Sequence, residues 1–217
     1  LRGAGGVTPQ PATIFIVDDD RSFLTAVTRL FRASGYAVQS FTSASEFLEH
    51  YSSDMPGCLI ADLRMAGLSG LDLQDALIEA DRPMPVIFLT GHGDIPTSVR
   101  AMRHGAEDFL TKRASKGELL DAVKRALARD AQAREHRARL RGLRARFDAM
   151  TPREREVLAH VLQGKLNKQI AYDLGINERT VKLHRTSFMS KLRVQSVAEL
   201  TRLVQEAGLL QNGQLEL

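Results

Sequence analysis

Five side chains of this sequence have the types and the placing for phosphoryl chemistry. Asp18 and Asp19 close an apolar run in Ile16-Val17-Asp18-Asp19-Asp20, and Asp62 closes another in Ile60-Ala61-Asp62-Leu63-Arg64. Thr90 ends a third run, Val86–Leu89, and Lys112 follows a fourth. Carboxylates brought together repel one another unless a cation lies between them, and an all-oxygen donor set favours Mg2+ or another hard divalent ion such as Mn2+. Such an ion would neutralise an incoming phosphoryl group and hold it in line for attack by a carboxylate, here Asp62. A hydroxyl (Thr90) and an ammonium (Lys112) nearby would satisfy the remaining phosphate oxygens. Acidic residues at loop starts also cap helices, and for Asp20, beside the first helical stretch, both roles stay open. One acidic pair would mean little; five residues each at a strand end are a specific signal.

These residues converge only if the runs that carry them are neighbouring parallel strands. From residue 13 to about 128, short apolar runs alternate with amphipathic stretches. Thr13–Val17, Tyr36–Phe41, Cys58–Ala61, Val86–Leu89 and Asp108–Leu110 read as strands, with helices near 21–33, 44–51, 70–80, 95–104 and 116–129. Ser43-Ala-Ser-Glu46 and Ser115-Lys-Gly-Glu118 are capping boxes for two of those helices. Repeated β-α units of this length predict a flavodoxin-like (βα)5 domain, a parallel sheet covered by helices on both faces. In such a sheet the chemistry belongs at the carboxyl ends of the strands, where all five residues fall.

Beyond residue 118 the charge changes sign. The chain of 217 residues has a net charge of +4. Residues 1–118 carry 11 Lys/Arg against 15 Asp/Glu, a net of −4, and residues 119–217 carry 19 against 11, a net of +8. An acidic front and a basic back suggest two tasks, the second on a polyanion. Residues 130–149 are rich in Ala and Arg and predict a helical linker that prolongs the fifth helix, with Gly142 as a possible break. If continuous from 116 to 148, that helix would be roughly 50 Å long at ~1.5 Å per residue. The 3/4 spacing of Leu140, Leu143, Phe147 and Met150 suits local packing; Asp130 and Arg134 break the stripe upstream, against a long coiled coil. After 150 the pattern is wholly helical, with helices at about 152–162, 167–174, 178–192 and 196–206. Thr151-Pro152-Arg153-Glu154 opens the first and Ser196-Val197-Ala198-Glu199 the last. Asn167–Leu174, Gly175-Ile176 and Asn177–His184 read as helix, tight turn, helix. Ile176, Val181 and Met189 serve the core. Arg179, Lys182, Leu183, Arg185 and Thr186 are left for another surface, which suits a DNA major groove, Lys182, Leu183 and Thr186 being placed to reach base edges. A small bundle with a solvated charged face would carry similar charge, but not this ordered motif.

Composition excludes several classes. No run approaches the ~20 apolar residues of a membrane span. The lone Cys58 allows no internal disulfide, fits a reducing cytoplasm and, inside Cys58-Leu59-Ile60-Ala61, reads as a buried structural thiol. His50, His104, His136 and His160 form no metal-ligand grouping, which argues against zinc. Residues 1–12 read as a leader without order or signal-peptide character, and 211–217 as a tail.

Two stretches carry a family resemblance. Residues 13–129 resemble the receiver domain of two-component response regulators, through Val17-Asp18-Asp19-Asp20, Asp62–Gly70, Leu89-Thr90-Gly91-His92-Gly93-Asp94 and Gly105–Lys112. The resemblance implies that Asp62 accepts phosphate from a phosphohistidine on a sensor kinase. It implies that Asp19, Asp62 and the backbone carbonyl of Arg64 ligate Mg2+, with Asp18 acting through water. Thr90 and Lys112 would read the phosphate, and Phe109 would swing inward as the switch. The helix near 95–104, the fifth strand and the fifth helix would form the changed surface, commonly a dimer face. Arg113 stands where the family has a proline, and since a non-proline cis bond costs ~2.5–4 kcal/mol, a trans Lys112–Arg113 peptide is expected. Ala66 stands where the family often has another proline.

Residues 150–207 are similar to the LuxR-type helix-turn-helix of the FixJ/NarL subfamily. The carriers are Thr151–Glu156, Gly164, Asn167-Lys168, Ile170-Ala171, Leu174-Gly175-Ile176, Arg179-Thr180-Val181-Lys182, His184-Arg185, Met189, Lys191-Leu192 and Ala198-Glu199-Leu200. Asn167, Lys168, Arg179, Thr180, Lys182, Leu183, Arg185, Thr186 and Lys191 form the expected DNA-binding set. The last helix, with Val197, Leu200 and Val204, would pair dimers. The whole implies a cytoplasmic regulator, not an enzyme, that forms a homodimer when phosphorylated and binds double-stranded promoter DNA, with RNA polymerase as a further partner. Two alternatives remain: a regulator that binds DNA without phosphorylation, and an aspartyl-phosphate hydrolase, for which Arg64 and His92 are the only further groups near the pocket.

Overall fold

The computed structural model describes residues 11–52, 55–80, 84–91, 95–211 and 214–215. Of the expected leader, all but Pro11 and Ala12 lies outside them. The chain divides into two compact units, Leu1–Ala133 and Arg134–Leu217.

The first unit is a five-stranded sheet in the order β2-β1-β3-β4-β5, built from β1 (Thr13–Val17), β2 (Ala37–Phe41), β3 (Gly57–Asp62), β4 (Val86–Thr90) and β5 (Asp108–Thr111). Every pairing is parallel. The central strands β1, β3 and β4 are buried on both faces, so they are almost wholly apolar while alternate side chains part company. Ile14, Ile16, Cys58, Ile60, Ile87 and Leu89 face α1 (Arg21–Ala33) and the start of α5 (Lys116–Asp148). Phe15, Val17, Leu59, Ala61, Val86 and Phe88 face α2 (Ala44–His50), α3 (Gly70–Glu79) and α4 (Ile95–Arg103). Ser43 caps α2, accepting from the Glu46 amide, and Ser115 caps α5 in the same way through Glu118. No cis peptide occurs among the described residues, so Lys112–Arg113 is trans, as its sequence predicts.

In the second unit α6 (Pro152–Leu162), α7 (Asn167–Asp173), α8 (Glu178–Leu192) and α9 (Val197–Glu206) share one core with Leu143, Phe147 and Met150. Thr151 and Glu154 form the expected capping box. Gly175, at φ +64°, makes the left-handed turn between α7 and α8 that a side chain adopts at a cost.

Four expectations change. Helix α5 runs through Gly142 without a break; one glycine costs a helix only about 1 kcal/mol, and Leu140 and Leu143 on either side of it are held against the core. Leu200 and Val204 are fully buried in the core of the second unit, so a pairing surface on α9 has only Val197, 40% exposed, of the three residues assigned to it. The chain after 150 is not helical throughout: β6 (Leu210–Gln211) and β7 (Gln214–Leu215) form a short antiparallel ladder, and the Asn212-Gly213 pair between them in sequence is the signal that helical periodicity overlooks. Asp130, read as an interruption, is 3% exposed, and its Oδ2 accepts the Gly57 amide at 2.9 Å, tying α5 to the start of β3.

Candidate functional site: the carboxylate pocket and the helix-turn-helix face

Sheet register sets the pocket. Val17 pairs with Ala61 and Asp62 with Leu89, so the residues just past β1 and at the ends of β3 and β4 share one edge. Ligand oxygens of Asp18, Asp19 and Asp62 all lie within 4.8 Å of one another. Asp18 is 1% exposed and Asp62 7%; Asp19 is exposed. Asp20 is the N-cap of α1, its Oδ1 accepting from the amides of Ser22 (2.8 Å) and Phe23 (3.1 Å). The capping role therefore claims Asp20, and three carboxylates remain for the pocket.

Each of the three is oriented by the backbone. Asp18 Oδ1 accepts the Asp20 amide at 2.9 Å, Asp62 Oδ1 the Arg64 amide at 3.3 Å, and Asp19 Oδ2 the Ala66 amide at 3.1 Å. The last bond gives Ala66 a meaning that sequence comparison alone does not: a proline there would have no N–H to donate. Gly70, packed beneath the pocket, has no room for a side chain, because a Cβ would stand 2.4 Å from the Asp62 carbonyl oxygen.

Lys112 reaches the centre. Its Nζ lies 2.6 Å from Asp18 Oδ2 in a close ion pair and donates to Asp62 Oδ2 at 2.8 Å. The ammonium also sits 4.6 Å from the centre of the Phe23 ring. Thr90 is 1% exposed, and its carbonyl accepts the Lys112 amide at 2.8 Å, binding the loop after β5 to the end of β4. Burial raises the Asp18 carboxyl above its ordinary value, with the Lys112 ammonium and the Asp20 amide pulling it back. Burial alone would lower the Lys112 ammonium, but its two carboxylate partners outweigh that and raise it. Arg113, which stands where the family has a proline, is exposed. Phe109 is half-buried and pairs in register with Phe88, their ring centres 6.4 Å apart. Arg64 is exposed, and His92 lies outside the described residues. Cys58 is buried, and burial pushes its thiol up to about 12, the behaviour of a structural cysteine.

The three carboxylates fit a hard divalent ion: their oxygen donors are close, two of them are buried, and one ammonium offsets them only in part. A single lysine leaves this cluster net negative.

In the second unit, Arg179, Lys182, Leu183 and Thr186 are exposed on α8, with Leu183 at 63%, an unusual exposure for a leucine. Asn177 caps the helix by accepting the Thr180 amide. Lys182 pairs with Glu178 at 3.2 Å. Arg185 donates to Asn167 Oδ1 at 2.7 Å, so two residues of the expected DNA set brace α7 against α8, while Lys168 is exposed. Lys191 differs from the rest: its ammonium binds the buried Glu154 at 2.7 Å and the Ala149 carbonyl at 3.2 Å. Sequence reasoning missed this network because Glu154 reads as a capping residue and nothing more.

A doubly wound sheet with a carboxylate pocket at its switch edge, in one chain with a basic helix-turn-helix, defines a signal-receiving domain joined to a DNA reader. The family model described as "Response regulator receiver domain" matches residues 14–124, and that of "Bacterial regulatory proteins, luxR family" matches residues 148–204. The chain belongs to the response regulators that combine these two domains. It is 44% identical over 213 residues to Nodulation protein W of Bradyrhizobium diazoefficiens, covering 97% of this chain and 94% of that one. It is 43% identical to the response regulator protein TmoT of Ectopseudomonas mendocina, covering 94% and 92%. A solved structure of the response regulator StyR superposes with a TM-score of 0.82 at 44% identity, covering 90% of this chain and 99% of that one.

Proposed function

We propose that a sensor histidine kinase phosphorylates Asp62 and that the phosphate promotes dimerisation and sequence-specific DNA binding, which regulates transcription. The observation that carries this is the meeting of Asp18, Asp19 and Asp62 at the carboxyl edge of the sheet, with the Lys112 ammonium on Asp18 and Asp62. A carboxylate oxygen of Asp62 attacks phosphorus, the P–N bond of the donor phosphohistidine breaks, and an acyl phosphate forms. A divalent ion held by Asp19, Asp62 and the Arg64 carbonyl, with Asp18 through water, supplies charge neutralisation when bound. Lys112, already on Asp62 Oδ2, follows the new negative charge to a phosphate oxygen, and the Thr90 hydroxyl takes another. Movement of Thr90 frees space for Phe109, which rests against Phe88 on the same two strands. A local charge thus biases the packing of α4, β5 and α5.

We assign residues 13–129 to the receiver, 130–149 to a helical linker, 150–210 to the DNA-binding domain and 211–217 to a tail. Helix α8 enters the major groove, with Lys182, Leu183 and Thr186 at base edges and Lys168, Arg179 and Arg185 at phosphates. Two DNA-binding domains on one dimer bind two half-sites more tightly than either does alone. No helix among the described residues is long and apolar enough to cross a membrane, in keeping with a cytoplasmic regulator. The reading is tested by incubating wild type and Asp62→Asn with acetyl phosphate and Mg2+. Wild type is expected to take up one slowly decaying acyl phosphate and Asp62→Asn none; steady multiple turnover would mark a hydrolase instead.

A further inference from the structure

Residues 134–148, the part of α5 inside the second unit, contain six arginines, no lysine and only two acidic residues. Leu140, Leu143 and Phe147 pack this segment onto the core of the unit. Arg137, Arg141 and Arg144 follow one another at spacings of four and three, which places them on a single helix face turned by about 100° from that apolar stripe. Arg141 and Arg144 are exposed and Arg137 half-buried. Arg139, on the other flank, is bound to Glu206, whereas no ion pair engages Arg137, Arg141 or Arg144 among the described residues.

A merely solvated helix face mixes Glu and Lys at this spacing, because opposite charges three or four residues apart stabilise and like charges destabilise. Here like charges stand at both steps within the stripe, from Arg137 to Arg141 and from Arg141 to Arg144, held in helix by the packing of the apolar side. Asp148, four residues beyond Arg144, is the single acidic residue at that spacing, and no ion pair joins the two. Repulsion of that kind is relieved by a polyanion. The choice of arginine narrows the class, since the guanidinium fork binds phosphate oxygens in pairs where an ammonium makes a point contact.

We propose that the Arg137–Arg141–Arg144 stripe is a second phosphate-binding surface, which takes the backbone of duplex DNA outside the helix-turn-helix. The inference rests on the DNA-binding reading above. Its Cα atoms rise by about 6 Å and then about 4.5 Å along the helix, against one phosphate per ~3.4 Å of each strand. Each fork can therefore reach a different phosphate. The contact is blind to sequence, adds affinity and increases the salt dependence of binding.

The test uses the full chain and a mixed-sequence DNA duplex, titrated by fluorescence anisotropy across a range of salt concentrations. The triple variant Arg137→Gln/Arg141→Gln/Arg144→Gln keeps good helix formers and removes only the charge; its thermal unfolding is expected to match wild type. Its slope of log K against log salt is expected to fall by about 0.9 for each phosphate no longer neutralised, up to about 2.7, and the matching triple lysine variant is expected to recover part of the difference. An unchanged slope, or a fall per charge no larger than that from Arg202→Gln at an exposed position on α9, would overturn the stripe and leave the helix-turn-helix reading standing. Absence of wild-type binding to any duplex, phosphorylated or not, would overturn both. A DNA slope equal to that of wild type, together with abolished binding to an acidic polypeptide such as polyglutamate, would assign the stripe to a protein partner and contradict the proposal.

Discussion

At the scale of single residues, the pocket is a charge balance held in place by backbone amides. Lys112 offsets two carboxylates before any phosphate arrives, so Lys112→Ala is expected to keep labelling at Asp62, more slowly, and to lose the donor-dependent gain in DNA affinity; measuring both in one preparation separates attack from readout. Gly70→Ala pushes a methyl group against the Asp62 carbonyl. Overpacking of this kind costs ~1–3 kcal/mol, to be seen as a lower denaturation midpoint together with slower labelling. In the second unit, burial of Glu154 works against its charge, but the ammonium of Lys191, the Ser187 hydroxyl and the Thr151 amide outweigh it and bring the carboxyl from 4.5 to about 2. Its contribution is therefore complete above the unfolded value near 4.5 and is lost as pH falls toward about 2. The shift corresponds to something on the order of 3 kcal/mol. Glu154→Gln is expected to lower stability at neutral pH and to flatten the stability profile across that acid window. A profile as steep as that of wild type would remove Glu154 from the account.

At the scale of elements, what was legible in the sequence was what periodicity and caps encode. The strand ends at Asp62 and Thr90, the N-caps at Ser43, Ser115, Thr151 and Ser196, and the turn at Gly175 all report local backbone requirements and appear in the structure. Of these four caps Ser115 and Thr151 close the reciprocal box, while Glu46 and Glu199 accept the amides of Thr42 and Gln195 instead. Residues whose partners are distant in sequence were not legible. Asp130 looks like a break in a stripe until Gly57, 73 positions away, presents its amide; Leu200 and Val204 look like a dimer seam until the core claims them. Ala66 looks like a missing proline until its amide meets Asp19. Asp130 anchors α5 at the end of the first unit, and Asp130→Ala leaves the buried Gly57 amide without its acceptor. A loss of about 1–3 kcal/mol is expected, read by chemical denaturation, together with faster hydrogen exchange at the Gly57 amide. Unaltered exchange there would show that the tie does not hold the helix.

At the scale of the whole molecule, charge divides the chain into an acidic receiver and a basic DNA-binding half, and the proposed function couples them through one acyl phosphate. Its central claim is that the state of Asp62 sets DNA affinity. The most direct test measures binding of wild type and Asp62→Asn to promoter DNA selected by the protein itself, with and without acetyl phosphate and Mg2+. The account predicts a donor-dependent gain for wild type of at least tenfold, which corresponds to about 1.4 kcal/mol, and no donor response for Asp62→Asn. Equal affinity of wild type with and without donor, under conditions where Asp62 is shown to be labelled, would contradict it and leave a constitutive DNA-binding regulator.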